Sequence, residues 1–222
     1  MPNRDLVIIN NERISKSNES FYCDNVDIKS IPEGLDEIFK ITLIARKSKI
    51  KRMRKINLKK IEISSNIFEF FLKILKTFKN AQTNYLIISI TPYTFFSYLL
   101  LFFFRKKVFV YLRSNGYEEY KAIFGFIGPA IYHVMFKIVT FKSNIIVCQE
   151  QLFKKGKCEI VFPSEINSSW LENLQEPALD KPRLLYVGRI KVEKGIFSLL
   201  RIFDEINEDF HLSIVGSSNN EN

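Results

Sequence analysis

Histidine, cysteine, glycine and proline are all scarce in this chain, and each scarcity excludes something. Only two histidines occur in 222 residues, His133 and His211, and they lie far apart. A histidine-based metal centre is therefore not expected, and both read as packing or surface residues. The three cysteines, Cys23, Cys148 and Cys158, are an odd number without a C-x-x-C pair. That removes the zinc ribbon and the disulfide framework and makes a reducing, cytoplasmic setting the default. The opening Met-Pro-Asn-Arg-Asp is polar, so no secretory signal is expected. With 8 glycines and 7 prolines, turn formers are few and long regular elements are expected. Neither G-x-x-x-x-G-K-[ST] nor G-x-G-x-x-G occurs, so the common phosphate-cradling turns are missing.

What is abundant is apolar and basic. Hydrophobic residues make up 46%, aromatics 14%, and phenylalanine alone contributes 21 residues. This is too apolar for a disordered tail and too unrepetitive for a fibre. Lys and Arg number 33 against 24 Asp and Glu, a net charge of +9. The length fits one large domain, or one domain with part of another.

Short apolar runs alternate with helical stretches. Strands are predicted at 6–9, 38–45, 61–63, 86–90, 108–112, 145–148 and 159–162. A helix capped by Ser65 is predicted to run to about Lys79, with Ile67, Phe68, Phe71, Leu72, Leu75 and Phe78 on one side. Others are predicted from Pro92 to about Phe104 and over 130–141. This alternation predicts an α/β fold, a doubly wound Rossmann-like sheet over residues 1–175. Two prolines make 176–182 a linker. Residues 183–222 then begin a second, incomplete β-α-β unit, near the lower size limit for independent folding.

Residues 85–104 carry no charge and are followed by Arg105-Lys106-Lys107. By length this is a membrane-span candidate with a positive flank. The alternative is strand, Pro92, then buried helix. It is preferred because Pro92 and the nearby Ser89, Thr91, Thr94 and Ser97 break the run. The Phe-rich helix still leaves a possible lipid-facing surface.

Between Arg46 and Lys60, nine of fifteen residues are Lys or Arg and none is acidic. One reading is a solvated loop and strand edge. The other is a polyanion surface. No aromatic interleaving accompanies the run, so nucleic acid is not expected. An anionic membrane surface suits it better, held by Arg46, Lys47, Lys49, Lys51, Arg52, Arg54 and Lys55. That reading places the protein peripherally on the inner face of the cell membrane.

The most informative motif is Leu184-Leu185-Tyr186-Val187-Gly188-Arg189 followed by Ile190-Lys191-Val192-Glu193-Lys194-Gly195. A strand ends in Gly188, whose missing Cβ permits close backbone approach. Arg189 sits in the loop, and Lys194 with Gly195 opens a helix. Two cations beside a positive helix N-terminus make a seat for a diphosphate. The bland alternative is a surface loop with solvated charges.

In these residues the chain resembles family 4 glycosyltransferases of the GT-B fold. VGRIKVEKGIFSLL is similar to that family's donor-domain opening, and Ile214-Val215-Gly216 to its next strand. VYLRSNGYEEY (110–120) is similar to a strand ending in a His-Gly loop, and IVFPSEIN (160–167) to the stretch before the interdomain linker. The resemblance spans nearly all of the chain. It implies an acceptor domain followed by a donor domain, a nucleotide-diphosphate sugar as co-substrate, no other cofactor and no obligatory metal. The expected acceptor is a glycan or a lipid-linked molecule. By position, Gly188, Arg189, Lys194 and Gly195 would hold the donor diphosphate. Asn115 would take the catalytic place, with Arg113, Gly116 and Glu118 around the acceptor cleft.

Two departures from the family pattern carry expectations of their own. Asn115 stands where many relatives have histidine, and an amide positions a hydroxyl but cannot take its proton. Relatives also continue much further and carry there a pair of glutamates that binds donor ribose and sugar. No such pair follows Val215, so the chain is expected to bind donor weakly and turn over little. The alternative is a non-catalytic remnant or interaction module that keeps a basic membrane-binding face.

Overall fold

The first apolar run alternates its side chains between two buried environments, and that decides the architecture. In a computed structural model of the protein, β1 (Asp5–Ser17) sends Val7 and Ile9 to one core and Leu6 and Ile8 to the other. A strand buried on both faces must lie inside a sheet covered on both sides. The structure describes residues 4–80, 82–154, 156–162, 172, 183–188, 190, 192–206 and 211–216. They belong to two compact units, Met1–Pro163 and Ser164–Asn222.

After β1 come β2 (Ser20–Cys23), α1 (Val26–Leu35), β3 (Lys40–Lys47), β4 (Arg54–Ile56), β5 (Ile61–Ser64) and α2 (Ile67–Lys76). Then follow β6 (Asn84–Ile88), α3 (Pro92–Phe103), β7 (Val108–Leu112), α4 (Gly116–Phe124), α5 (Gly128–Thr140), β8 (Asn144–Val147) and β9 (Cys158–Ile160). The parallel strands lie in the order β5-β3-β1-β6-β7-β8-β9. The chain builds outward from β1 in one direction, returns, and builds outward from β6 in the other. That is the strand order of a Rossmann-like, doubly wound sheet, with its switch point between β1 and β6. α1 packs on the core behind Ile8 and Leu43, while the buried residues of α2, α3, α4 and α5 join the core behind Ile9 and Val110.

β1 outruns its partners. Ile9 pairs with Ile44 but Arg13 pairs with Arg46, so β1 takes four steps where β3 takes two. The surplus is a bulge at Asn10-Asn11-Glu12, at the carboxyl end of the central sheet. Bulges re-aim side chains, and these three point to the switch point. Beyond the bulge, β1 pairs antiparallel with β2, and β2 with β4.

The charge-free run at 85–104 is strand, break and helix, as the preferred reading had it. Ser89 takes a left-handed φ of 63°, and Thr91 caps α3 through a reciprocal box with Thr94, with Pro92 in the first turn. The α2 expectation needs correction in two respects. Its cap is Asn66, whose side-chain oxygen accepts from the Glu69 N–H at 2.8 Å, not Ser65. Its buried residues are Phe70 and Ile74, while Phe68, Leu72 and Leu75 are exposed. Glu69, Lys73 and Lys76 form a polar stripe, but the apolar arc opposite it is wide, and periodicity alone could not show that Phe70 and Ile74 are its buried part.

The second unit contains β10 (Arg183–Val187), α6 (Ile196–Glu205) and β11 (His211–Val215), with β10 and β11 parallel. This is the predicted β-α-β crossover. The predicted linker at 176–182 lies outside the described residues.

Candidate functional site

A polar crevice of about 220 Å³ opens at the switch point. In doubly wound sheets ligands bind outside the carboxyl ends of the strands at this place, because the connections on either side diverge and leave a gap. The β1 bulge supplies Asn10, Asn11 and Glu12. The turn after β6 supplies Ser89 and Thr91, the turn after β7 supplies Arg113 and Ser114, and α4 supplies Glu119. Asn25 closes the side next to α1.

These groups hold one another in place. The Glu12 N–H donates to the Asn10 side-chain oxygen at 2.6 Å, and the Asn25 amide donates to Glu12 Oε1 at 3.1 Å. Asn25 also caps α1, accepting from the Asp27 N–H at 3.0 Å, and accepts from Arg113 Nη1 at 3.0 Å. Arg113 forms an ion pair with Asp27. Thr94 donates to the Ser89 carbonyl at 2.8 Å, which fixes the turn after β6. Glu119 makes no ion pair among the described residues. The crevice thus offers amides, hydroxyls and two carboxylates, while its single guanidinium is neutralised by Asp27. It suits a neutral, hydroxyl-rich ligand and disfavours a diphosphate, which needs unpaired cations.

The predicted acceptor-side residues divide. Arg113 lines the crevice. Asn115 is the N-cap of α4: its oxygen accepts from the Tyr117 N–H at 3.2 Å, and its amide donates to Glu118 Oε1 at 2.9 Å. Both are therefore engaged in local structure. Gly116 packs against the Tyr132 ring, and a Cβ there would stand 2.1 Å from that ring. Burial pushes the Tyr132 hydroxyl far above its ordinary pKa, so it stays protonated. His133 is exposed and shares a hydrogen bond of 2.9 Å with the Tyr117 hydroxyl.

Of the basic run, Arg46 turns toward the crevice side of the sheet. It donates to Asn11 Oδ1 at 3.3 Å and its guanidinium lies 4.6 Å from the Tyr93 ring centre. Arg52 pairs with Asp24. Lys47, Lys49, Lys51, Arg54 and Lys55 are exposed, the last two on β4.

In the second unit Gly188 directly follows β10. A Cβ on Gly216 would stand 1.9 Å from the Gly188 carbonyl oxygen, so the backbones approach closely at the carboxyl ends of β10 and β11. Lys194 ends a 3-10 turn, and Gly195, with a left-handed φ of 72°, precedes α6. The N-terminus of α6 has no side-chain cap. Arg189 lies outside the described residues. Cys23, Cys148 and Cys158 are free thiols, and burial pushes Cys23 up to about 11. Among the described residues no three His, Cys, Asp or Glu side chains gather as a metal site.

Comparison with known proteins returned no match among family models, curated proteins or solved structures. The crevice residues Asn10, Asn11, Glu12 and Glu119 were not singled out from the sequence. A signal was present for three of them: a polar triplet directly follows the apolar run of the first strand.

Proposed function

We propose that the protein transfers a sugar from a nucleotide-diphosphate donor to a glycan or lipid-linked acceptor, as a GT-B-type glycosyltransferase does. The observation that carries the reading is the switch-point crevice, whose amides, hydroxyls and carboxylates match a saccharide. Glu119 and Glu12 are assigned to acceptor hydroxyls, with Arg113 and Asn25 fixing the wall around them. Asn115 is assigned to positioning the loop before α4 rather than to the reacting atoms. The diphosphate is assigned to the second unit, to Gly188 after β10, to Lys194 and Gly195 before α6, and to Arg189, which lies between them in the sequence. Cations there offset charge on the departing diphosphate, the electrostatic work that such a transfer requires.

Calorimetric titration with a panel of nucleoside diphosphates and small saccharides tests both assignments. Arg189→Ala is expected to weaken nucleoside diphosphate binding by about 1.5–3 kcal/mol, the scale of a charged hydrogen bond. Glu119→Gln is expected to weaken saccharide binding and leave the diphosphate unaffected. Saccharide affinity indifferent to both Glu119→Gln and Asn10→Ala would remove the crevice from the mechanism.

A further inference from the structure

The helix layer over the sheet buries one side and leaves the other apolar. Phe103 at the end of α3 is 77% exposed, Phe141 just after α5 is 78% exposed, and Phe126 in the turn between α4 and α5 is 90% exposed. Ile131 and Val134 on α5 and Phe96 on α3 are exposed as well. A groove of about 420 Å³ runs between α3 and α5, lined by Leu99, Phe102, Phe103, Ile138 and Phe141, with Lys137 beside it. Apolar surface of this extent on a folded protein marks an interaction site.

Residues 116–140 contain an 18-residue stretch of mean hydropathy 1.6, long and apolar enough to cross a membrane by length and composition. They do not form one straight helix. The ring centres of Tyr117 and Tyr132 are 4.8 Å apart, whereas fifteen residues of helix would separate them by about 22 Å. The chain reverses at Gly125, where φ is 63°, and α4 folds back on α5 with Phe126 at the bend.

Charge identifies what covers this surface. From Phe70 to Gln149, ten residues are Lys or Arg and only Glu118 and Glu119 are acidic. Of these, Lys137 and Lys142 sit at the edge of the α3–α5 groove. Lys142 Nζ lies 5.6 Å from the Phe102 ring centre and 5.9 Å from that of Phe141, and Lys106 Nζ lies 4.9 Å from that of Phe78. We propose that the outer surface of α3 and the α4–α5 hairpin docks on an anionic lipid bilayer, with Phe126, Phe103 and Phe141 entering the interface. Rings and aliphatic chains take the acyl boundary, and the lysines at their margin meet anionic headgroups. A second copy of the chain would set the same cations against one another. The proposal rests on the helix surface and is independent of the sugar-transfer reading.

Vesicle sedimentation tests it, using phosphatidylcholine alone and phosphatidylcholine mixed with phosphatidylglycerol. The intact chain is expected to sediment with the anionic vesicles and much less with the neutral ones. Replacing Phe103, Phe126 and Phe141 together by Ser is expected to weaken that binding roughly tenfold or more. These side chains are exposed, so an unchanged circular dichroism spectrum and urea midpoint will show that the fold is intact. Phe126→Trp is expected to be quenched by brominated lipid. Three results would overturn the proposal. One is no sedimentation with anionic vesicles at low salt. Another is binding abolished by Lys47, Lys49, Lys51 and Lys55→Gln but untouched by the Phe changes, which would assign it to the basic run. The third is a dimer that the Phe changes dissociate without any effect on vesicles, which would make a second copy the occupant.

Discussion

The same crossover occurs in both units, and its fate differs. In the first, β6-α3-β7 places Val110 and Leu101 wholly out of solvent. In the second, β10-α6-β11 leaves Leu185 64% and Val187 69% exposed, and among the described residues only Ile196 is buried. Sequence pattern is nearly equal in the two: each has an apolar strand, an amphipathic or apolar helix, and a second strand. What differs is the number of layers. β7 lies between β6 and β8 with helices above it, whereas β10 has β11 as its strand partner. An apolar strand supplies only the capacity for burial, and neighbours on both faces realise it.

The largest test of that contrast is truncation in the two strands. Ile87→Ala, in a fully covered strand of the first unit, is expected to cost about 2–5 kcal/mol, the transfer term plus the cavity left behind. Leu185→Ala is expected to cost less than about 0.5 kcal/mol, as at other exposed positions. Urea unfolding followed by circular dichroism measures both. Equal losses would mean that the second unit's strand is covered after all, and the contrast would fail.

A smaller test bears on Gly116. A methyl group there would collide with the Tyr132 ring, which the rings of Tyr117, Tyr120 and Phe136 hold in place. Gly116→Ala is expected to cost about 1–3 kcal/mol, the range for overpacking a filled core. Pairing it with Tyr132→Leu should recover part of the loss. If Gly116→Ala is silent, the α4–α5 hairpin is looser than the core beneath it.

How much was legible follows from what burial does to a local signal. β7 could be read to the residue, because it is a short apolar run bounded by charged residues. α1 was not seen, because Pro32 and Gly34 make its sequence look like a loop; the Asn25 cap, the Lys29–Glu33 ion pair and the burial of Ile28 and Pro32 sustain it. α4 was missed because Asn115-Gly116 reads as a turn, although Asn115 with Glu118 three residues on is a local signal for a helix start. The crevice was hardest to read. Its bulge exists only in the register between β1 and β3, a relation between residues more than thirty positions apart. Strand order, which places the switch point, is likewise a property of the sheet and not of any segment.

The smallest expected effect lies at the fringe of the first unit, where β2 and β4 extend past the main sheet. Partial burial tends to raise the Asp24 carboxyl. The Arg52 hydrogen bond, the Met53 N–H and the charges of Arg52 and Arg54 outweigh it, and the pKa lies below the ordinary value. A carboxyl depressed in the folded state adds stability above its unfolded pKa of about 3.9, and that stability is lost as pH falls through the folded value. Asp24 is nearly half exposed, so solvent screens the pair and the contribution is small. Urea midpoints measured from about pH 6 down to about pH 3 should fall slightly more steeply for the native chain than for Arg52→Ala. Parallel acid limbs would show that this fringe, like the second unit's strands, is too open to solvent for its contacts to count toward stability.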